Sequence, residues 1–175
     1  MFLDESGFLL IPTRRRTWGL KGKTPIVQYN FRHDRISALA ALTVSAKRKH
    51  IGIYFRFTQD IFNAQNIADF LCVLLLHLKG HIILLWDRSK IHKGPIIEEV
   101  LRKNPRLHIE WFPSYAPELN PIEQIWNDFK GHTANSVHLN KQALRMVLHN
   151  NKRRVVGSQV KLRSFILSSG LPSPP

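Results

Sequence analysis

The sequence is poor in cysteine, and it has no long apolar run. Cys72 is the only cysteine among 175 residues, which excludes an internal disulfide and a cysteine-based zinc site. It lies in the apolar run Phe70–Leu76, so we expect it to pack in the core rather than to react. That run is the longest, and it is far shorter than the ~20 residues of a membrane-spanning helix. No Gly-rich phosphate loop and no H-E-x-x-H motif occurs. No signal segment opens the sequence, so we expect an intracellular protein with no membrane partner.

Acidic residues are also scarce, and this deficit sets the charge of the protein. Twelve acids stand against 26 lysines and arginines, which gives a formal net charge of +14. Self-repulsion of this size favours a polyanionic partner, above all a nucleic acid, although a basic surface that only confers solubility is the alternative. Basic clusters recur along the chain, at 14–16, 47–49 and 152–154. This distribution is typical of a folded surface that follows a phosphate backbone.

The predicted elements begin as strands and continue as alternating helices and strands. Strand-like stretches occur at 2–10, where Gly7 interrupts the pattern, and at 26–31, 36–44 and 51–57. Helical segments at 64–78, 95–103, 120–130 and 141–154 are separated by apolar strands at 82–86 and 107–112. Short connections favour antiparallel pairing of the first three strands, and the later alternation favours parallel pairing. The sequence therefore predicts an α/β fold, a mixed sheet with helices on both faces.

The chain has enough apolar residues, 43%, for one well-packed domain, which we expect to span residues 1–155. Residues 156–175 are predicted to form a C-terminal extension. Its last part, from Leu167, is rich in Ser and Pro, a composition typical of disorder. The helix over 64–78 is apolar on more than one face, so we expect the rest of the domain to cover most of it.

Two acids separated by 35 residues are the best candidates for chemistry. Asp87 directly follows the apolar strand 82–86, where a carboxylate is costly unless it is solvated, paired or bound to a metal. An ion pair with Arg88 or Lys90, or a turn, would also explain Asp87. His92 lies close enough in sequence to approach the same site or the DNA. The carboxyl ends of parallel strands are where ligands collect in such sheets, and Asp87 lies at one of them.

Glu123 has a structural alternative that would by itself explain the residue. In Asn120-Pro121-Ile122-Glu123, Asn is a natural N-cap and the Glu has the spacing of a capping box, in which its side chain returns to the N-cap amide. A metal-binding Glu123 would have to point elsewhere. Asp4 is the third candidate. It shares one strand face with Phe2 and Ser6, whereas Glu5 lies on the other face, so only one of these two acids can reach a given site. A solvated strand end is the alternative for Asp4.

Three carboxylates on separate elements of a basic protein suit phosphoryl transfer with two metal ions. Mg²⁺ prefers oxygen ligands and is commonly held by a few carboxylates and by phosphate oxygens. Two such ions, ~3.5–4 Å apart, activate the attacking oxygen and stabilise the leaving one. The expected cofactor is therefore a pair of Mg²⁺ ions, with Mn²⁺ as a substitute.

Four segments together resemble the catalytic domain of DDE transposases, and most closely the insertion-sequence branch of the mariner superfamily in bacteria. They are Asp4–Phe8, Arg15–Trp18 with Gly22–Pro25, Asp87–His92, and Ser114–Glu123. The resemblance extends to about residue 155, and its most specific part is the segment that ends at Glu123. It implies a ribonuclease-H-like fold and an enzyme that cleaves DNA at the ends of an insertion sequence and transfers the strands to target DNA. Asp4, Asp87 and Glu123 match the metal-binding triad of the family.

The resemblance also implies partners and a cellular location. They are the DNA of the element ends and of the target, a second copy of the chain in a synaptic complex, and a cytoplasmic, nucleoid-associated location. The candidate DNA-binding residues are Arg14, Arg15, Arg16, Lys90, His92, Lys93 and Lys130. The family has a helix-turn-helix domain before the catalytic domain, whereas three residues precede Asp4 here, so we expect a separate helix-turn-helix protein from an upstream frame. A split-frame product, a fragment and a decayed remnant all fit this expectation. An inactive DNA-binding remnant and another ribonuclease-H-like nuclease are the alternatives in function.

Overall fold

A five-stranded mixed sheet forms the centre of the structure. The coordinates are a computed structural model that describes residues 1–11, 13–26, 33–47, 49–114 and 116–171. In chain order the strands are β1 (Phe2–Leu9), β2 (Arg35–Val44), β3 (Ile51–Thr58), β4 (Ile82–Trp86) and β5 (Leu107–Trp111). Their order across the sheet is β3-β2-β1-β4-β5. The central strand, β1, is therefore the one that carries Asp4.

The pairing of the strands agrees with the predicted topology. β1 pairs antiparallel with β2 from Phe2 opposite Leu42 to Leu9 opposite Arg35, and β2 pairs antiparallel with β3. β4 pairs in parallel with both β1 and β5. The predicted interruption at Gly7 is wrong, because this residue continues the ladder opposite Ser37. The Arg35 guanidinium lies over Gly7, 2.7 Å from where a Cβ atom would be.

In the described ranges, five α-helices cover the two faces of the sheet. They are α1 (Ala64–His77), α2 (Pro95–Lys103), α3 (Pro121–Thr133), α4 (Lys141–Val156) and α5 (Gln159–Ser168). Alternate residues of β1 and β2 point to opposite faces, so that each face has its own core. Leu3 and Leu39 pack with α1, α2 and β4 in one cluster, whereas Phe8 and Ala40 pack with α3, α4 and α5 in the other. The predicted fold class, a ribonuclease-H-like mixed sheet with helices on both faces, is confirmed.

One side of α1 is more exposed than we expected. Cys72 is exposed, and so are Val73 (51%) and Leu76 (83%). The expectation that Cys72 packs in the core is therefore wrong. Apolar composition predicts burial but not its direction, and α1 contacts the sheet through only one stripe, which includes Ile67, Leu71 and Leu74.

The C-terminal region differs from the predicted extension. Within residues 156–171 the chain forms α5, which was not predicted, and Leu162, Phe165 and Ile166 pack in the same cluster as α3 and α4. Residues 159–168 are thus part of the domain, not an extension of it. Residues 172–175 lie outside the described residues, as does nearly all of the strand predicted at 26–31. In the part of the chain that is described, no helix is long and apolar enough to cross a membrane.

Candidate active site

The three predicted acids lie on three elements that meet beside the carboxyl end of β4. Phe2 of β1 pairs in parallel with Leu85 of β4. Continuing this register by two residues brings Asp4 level with Asp87, which directly follows β4. Glu123 lies in the first turn of α3, the helix that packs over β1. Chain topology alone therefore brings together residues that are far apart in the sequence.

All three carboxylates line one cavity of about 380 Å³. The remaining wall consists of the residue after Asp87 and of the segment between β5 and α3. The residues that line it are Asp4, Asp87, Arg88, Phe112, Pro113, Ser114, Ala116, Pro117, Asn120 and Glu123. The cavity therefore joins three of the four segments that carry the family resemblance.

Asp4 is a buried acid whose carboxylate receives one hydrogen bond and has no positive partner among the described residues. Its residue is only 9% exposed, so the alternative of a solvated strand end is wrong. One oxygen, Oδ2, accepts a hydrogen bond of 2.8 Å from the indole Nε1 of Trp126. Burial, followed by the negative charges of Glu123 and Glu5, raises the pKa of Asp4 well above its ordinary value, and the bond from Trp126 only partly opposes this. A cation at this position would therefore be strongly favoured.

Asp87 is held by hydrogen bonds to one of its two oxygens. The backbone amide of Ser89 donates to Oδ1 over 3.0 Å, which makes the turn considered above, and His92 Nδ1 lies 2.5 Å from the same oxygen. Chiefly through the bond from His92, the pKa of Asp87 falls below its ordinary value. No ion pair joins Asp87 to Arg88 or Lys90. Oδ2 has no hydrogen-bond partner among the described residues, and the side chain is 53% exposed beside the cavity.

His92 is a buried bridge between two acids. It is 1% exposed, its ring stacks on Trp86 at 3.9 Å between centroids, and its Nε2 lies 3.1 Å from both oxygens of Glu5. Burial lowers the pKa of His92, but the bonds to Asp87 and Glu5, with their charges, outweigh it and raise the pKa to about 9. His92 is therefore an imidazolium at neutral pH. The predicted DNA contact of His92 is wrong because the ring is buried, and it is the alternative position, beside Asp87, that is observed.

Glu123 does not close a capping box. Asn120 is the N-cap of α3, and its side chain accepts a bond from the amide of Ile122. The amide of Asn120 donates to the carbonyl of Pro117 over 3.0 Å, which removes the group that a capping Glu123 would bind. Within the described residues the Glu123 carboxylate has no hydrogen bond or ion pair. It faces the cavity instead.

The other predicted DNA-binding residues lie at separate places on the surface. Arg14, Arg15 and Arg16 are exposed, and Arg15 contacts the end of α3 through Asn127 and Asn135. Lys90 and Lys93 are exposed after β4, with Lys93 Nζ 5.6 Å from the centre of the Trp111 ring. Lys130, on α3, lines a small cavity that is separate from that of the three acids.

Comparison with known proteins gives the chain a family. Residues 1–145 match the family model described as DDE superfamily endonuclease. The chain belongs to this family. No curated protein matches it. The fold of this DDE superfamily endonuclease is similar to that of Mos1 mariner transposase in a paired-end complex with Mn (TM-score 0.68, 15% identity). That match covers 97% of our chain and 51% of the other.

Two further solved structures support the same fold. The Mos1 strand transfer complex has a TM-score of 0.66 at 15% identity and covers 97% of this chain and 50% of that one. The catalytic domain of Mos1 has a TM-score of 0.55 at 12% identity, with 98% and 82% covered. The chain thus spans about half the length of the first Mos1 structures it matches. The predicted resemblance to DDE transposases is confirmed, whereas the bacterial branch stays a prediction.

The carboxylate oxygens of this DDE superfamily endonuclease suit a divalent ion, but they lie too far apart to bind one ion together. Carboxylate oxygens are the ligands that Mg²⁺ and Mn²⁺ prefer, and the charge on buried Asp4 lacks a nearby cation. As the side chains stand, however, no three His, Cys, Asp or Glu residues in the described ranges form a group that could hold a metal ion. A bound ion would therefore have to draw the three carboxylates closer together.

Sequence reasoning missed two residues of the site. Glu5 was set aside because strand alternation turns it away from Asp4, yet it reaches Asp87 indirectly through His92. Trp126 packs in the core, and its indole N–H also donates a hydrogen bond to Asp4. The signal for Glu5 was available, because a partly buried acid on the far face of β1 favours a donor from the elements on that face. No sequence signal identified the donor as His92.

Proposed function

We propose that this chain is the catalytic domain of a transposase, which cleaves DNA strands and joins them to target DNA by metal-dependent phosphoryl transfer. The observation that carries the proposal is that Asp4, Asp87 and Glu123 line one cavity and that each has at least one oxygen without a partner in the described residues. Membership of an endonuclease family supports the reaction class. Solved relatives are described as complexes with transposon ends and as a strand transfer complex, which supports DNA as the substrate.

Each side chain has a definite task in this proposal. Asp4, Asp87 and Glu123 would hold two Mg²⁺ ions, with Mn²⁺ as a substitute, and relatives with Mn and with Mg have been solved. The ions would supply activation of the attacking oxygen and stabilisation of the leaving one. Ser89 and His92 fix Oδ1 of Asp87 and so leave Oδ2 to act as a ligand. Trp126 fixes one oxygen of Asp4 in the same way.

The partners follow from the reaction. Joining two element ends to one target would require a homodimer in the synaptic complex, and a helix-turn-helix module would recognise the terminal repeats. The net charge of +14 supports DNA as the main partner and a nucleoid-associated, cytoplasmic location. A different ribonuclease-H-like nuclease would cleave DNA without joining strands, so an assay for strand joining separates the two.

An inactive DNA-binding remnant is the second candidate. The absence of a preformed three-ligand group in the described residues favours it. It predicts salt-dependent DNA binding without tight metal binding and without cleavage. The two candidates therefore differ in a measurement of metal binding that needs no knowledge of the terminal repeats.

The decisive experiment compares the wild type with Asp87→Asn, and with Asp69→Asn as a control. Asp69 is exposed on α1, on the other face of the sheet, so its loss removes the same charge away from the cavity. We expect wild type and Asp69→Asn to bind Mn²⁺ in calorimetry and to cleave a labelled DNA duplex. Asp87→Asn should cleave roughly a thousandfold more slowly, since a metal ligand contributes several kcal/mol of transition-state stabilisation. Equal rates for wild type and Asp87→Asn would remove Asp87 from the mechanism.

A further inference from the structure

A basic groove beside α4 shares no residue with the carboxylate cavity. We call it the α4 groove. Its volume is about 560 Å³, and its basic wall consists of Lys141, Arg145, His149 and Arg153. The opposite wall begins at Ile36 of β2 and at Gln59, which follows β3. Ile36 pairs with Phe8, four residues along β1 from Asp4, so the groove begins roughly 13 Å along the sheet from the candidate active site.

The four basic residues form one continuous ridge that runs obliquely along α4. They recur at every fourth position of α4, so their side chains lie on one face of the helix. Twelve residues of helix separate the first from the last, a distance of about 18 Å. Each strand of duplex DNA carries one negative charge for about every 3.4 Å of its axis, so this ridge is long enough to follow about five phosphates. A single small anion would use only part of it.

Most of this positive charge is not neutralised by the protein itself. Among the described residues, Arg145 and Arg153 have no carboxylate partner, and Lys141 has only a long contact of 3.8 Å with Asp34. Arg154, which follows Arg153 on the neighbouring face of α4, shows the contrast, because it is paired with Asp128. One turn of helix thus contains a basic residue used for folding and another that is available to a ligand.

The uncharged lining of the groove suits the same ligand. Gln59, Gln142 and Asn150 line it beside the cations, and such amides are common phosphate contacts in DNA-binding proteins. The ring of His149 packs against Phe57, with 5.2 Å between centroids, and its Nδ1 binds the carbonyl of Arg145. His149 therefore forms part of the wall, and the exposed charges that face a ligand come chiefly from Arg145 and Arg153.

We propose that the α4 groove binds the phosphate backbone of duplex DNA away from the point of cleavage. The proposal rests on the proposed function, since it takes DNA as the substrate, and it adds a second surface that positions the duplex. Both the groove and Asp4 lie on the sheet face that carries α3 and α4. A duplex in the carboxylate cavity could therefore extend along the same face to α4.

The test compares two double variants that remove the same charge. Arg145→Gln with Arg153→Gln alters the groove, and Arg102→Gln with Lys103→Gln alters an exposed pair on α2, on the opposite face. Binding of a fluorescent duplex of about 30 base pairs is measured without divalent metal over a series of salt concentrations. We expect the groove variant to bind more than about tenfold more weakly at 0.1 M salt. The slope of log K against log salt should fall by about 1.8, which corresponds to two lost phosphate contacts.

Two sets of controls are needed. The first distinguishes the loss of groove charge from a general loss of charge or of folding, and the second distinguishes this inference from the proposed function. The α2 variant should keep the wild-type slope, and Arg145→Lys with Arg153→Lys should restore most of the affinity. Wild-type affinity and slope in the groove variant, or equal losses in the two Gln variants, would overturn the inference and leave the proposed function standing. A wild type that binds no duplex DNA would overturn both. Loss of cleavage in Asp87→Asn alone, with unchanged DNA binding, supports the proposed function independently of the groove.

Discussion

Asp4 and Glu5 are neighbours on β1, yet the environments of their carboxylates are opposite in kind. Asp4 points to the face of α3, where burial and the nearby Glu123 raise its pKa. Glu5 points to the other face, where both of its oxygens meet the imidazolium of His92. One acid is left without a counter-charge, and the other has one built into the fold. Since burial of an unpaired charge costs stability, Asp4 ionises more readily when a cation from outside the chain lies beside it.

Asp128 resembles Glu5, because it too is paired with basic side chains from other elements of the fold. It lies on α3 and is paired with Arg154 of α4 and with Lys161 Nζ of α5 at 2.8 Å. Acids of this kind connect elements of the fold. Glu5 and Asp128 thus have a counter-charge within the fold, whereas Asp4 has none among the described residues, and this difference predicts that Asp4 serves activity rather than stability.

The largest effect on cleavage should come from substituting the two neighbouring acids on β1, each in a separate variant. Asp4→Asn should slow cleavage by roughly a thousandfold because a metal ligand is lost. Glu5→Gln should slow it by roughly 10- to 100-fold, since it acts through His92. The two substitutions should change the stability of the fold in opposite directions. Asp4→Asn should raise the free energy of unfolding because it removes a buried charge, and Glu5→Gln should lower it by about 1–3 kcal/mol.

Single-turnover cleavage and urea unfolding of both variants test this pair of effects. Asp69→Asn again serves as the charge control. A destabilised Asp4→Asn, or a Glu5→Gln that matches the wild type in both measurements, would contradict the division between the two acids.

A smaller effect is expected when the bridge between the faces is cut. His92→Asn removes the contact with Glu5 and weakens the hold on Oδ1 of Asp87. We expect Mn²⁺ affinity, measured by calorimetry, to fall by roughly 10- to 100-fold, which is typical of residues that orient a metal ligand. His77→Asn, at an exposed position on α1, should leave it unchanged. Unchanged Mn²⁺ affinity in His92→Asn would show that the bridge serves the fold alone.

The smallest effect should be on stability alone, at Asp128. Burial would raise the pKa of Asp128, but Arg154 and Lys161 outweigh it and lower the pKa. Because the pKa is lower in the folded state, the carboxylate stabilises the fold above the ordinary Asp pKa of about 4 and loses this effect as the pH falls through the lowered value. Asp128→Asn should cost about 1–3 kcal/mol at pH 7, with wild-type cleavage. Urea unfolding should show the difference between variant and wild type shrinking below about pH 4, and a constant difference would contradict the assignment.

The sequence predicted the sheet well because apolar strands and short turns leave few ways to pair them. It predicted the site less completely. Asp87 and Glu123 were found because their motifs end at the sheet edge, whereas the roles of Glu5 and Trp126 depend on which side chains the fold brings together. The missed helix α5 has the same cause, since Ser and Pro nearby outweighed its apolar residues until packing against α3 was known. His92 was misassigned because burial could not be read from its basic surroundings.

Trp126 gives the candidate site an unusual dependence on the core. The indole is 1% exposed and meets the rings of Phe8, Phe55 and Phe129 edge-on at 6.0, 6.1 and 5.9 Å between centroids. The same ring donates the hydrogen bond that Asp4 receives. Any change of volume among these aromatic neighbours therefore also shifts the donor of Asp4. Selection for a working site and selection for a well-packed interior act here on one side chain, so neither property can drift without the other.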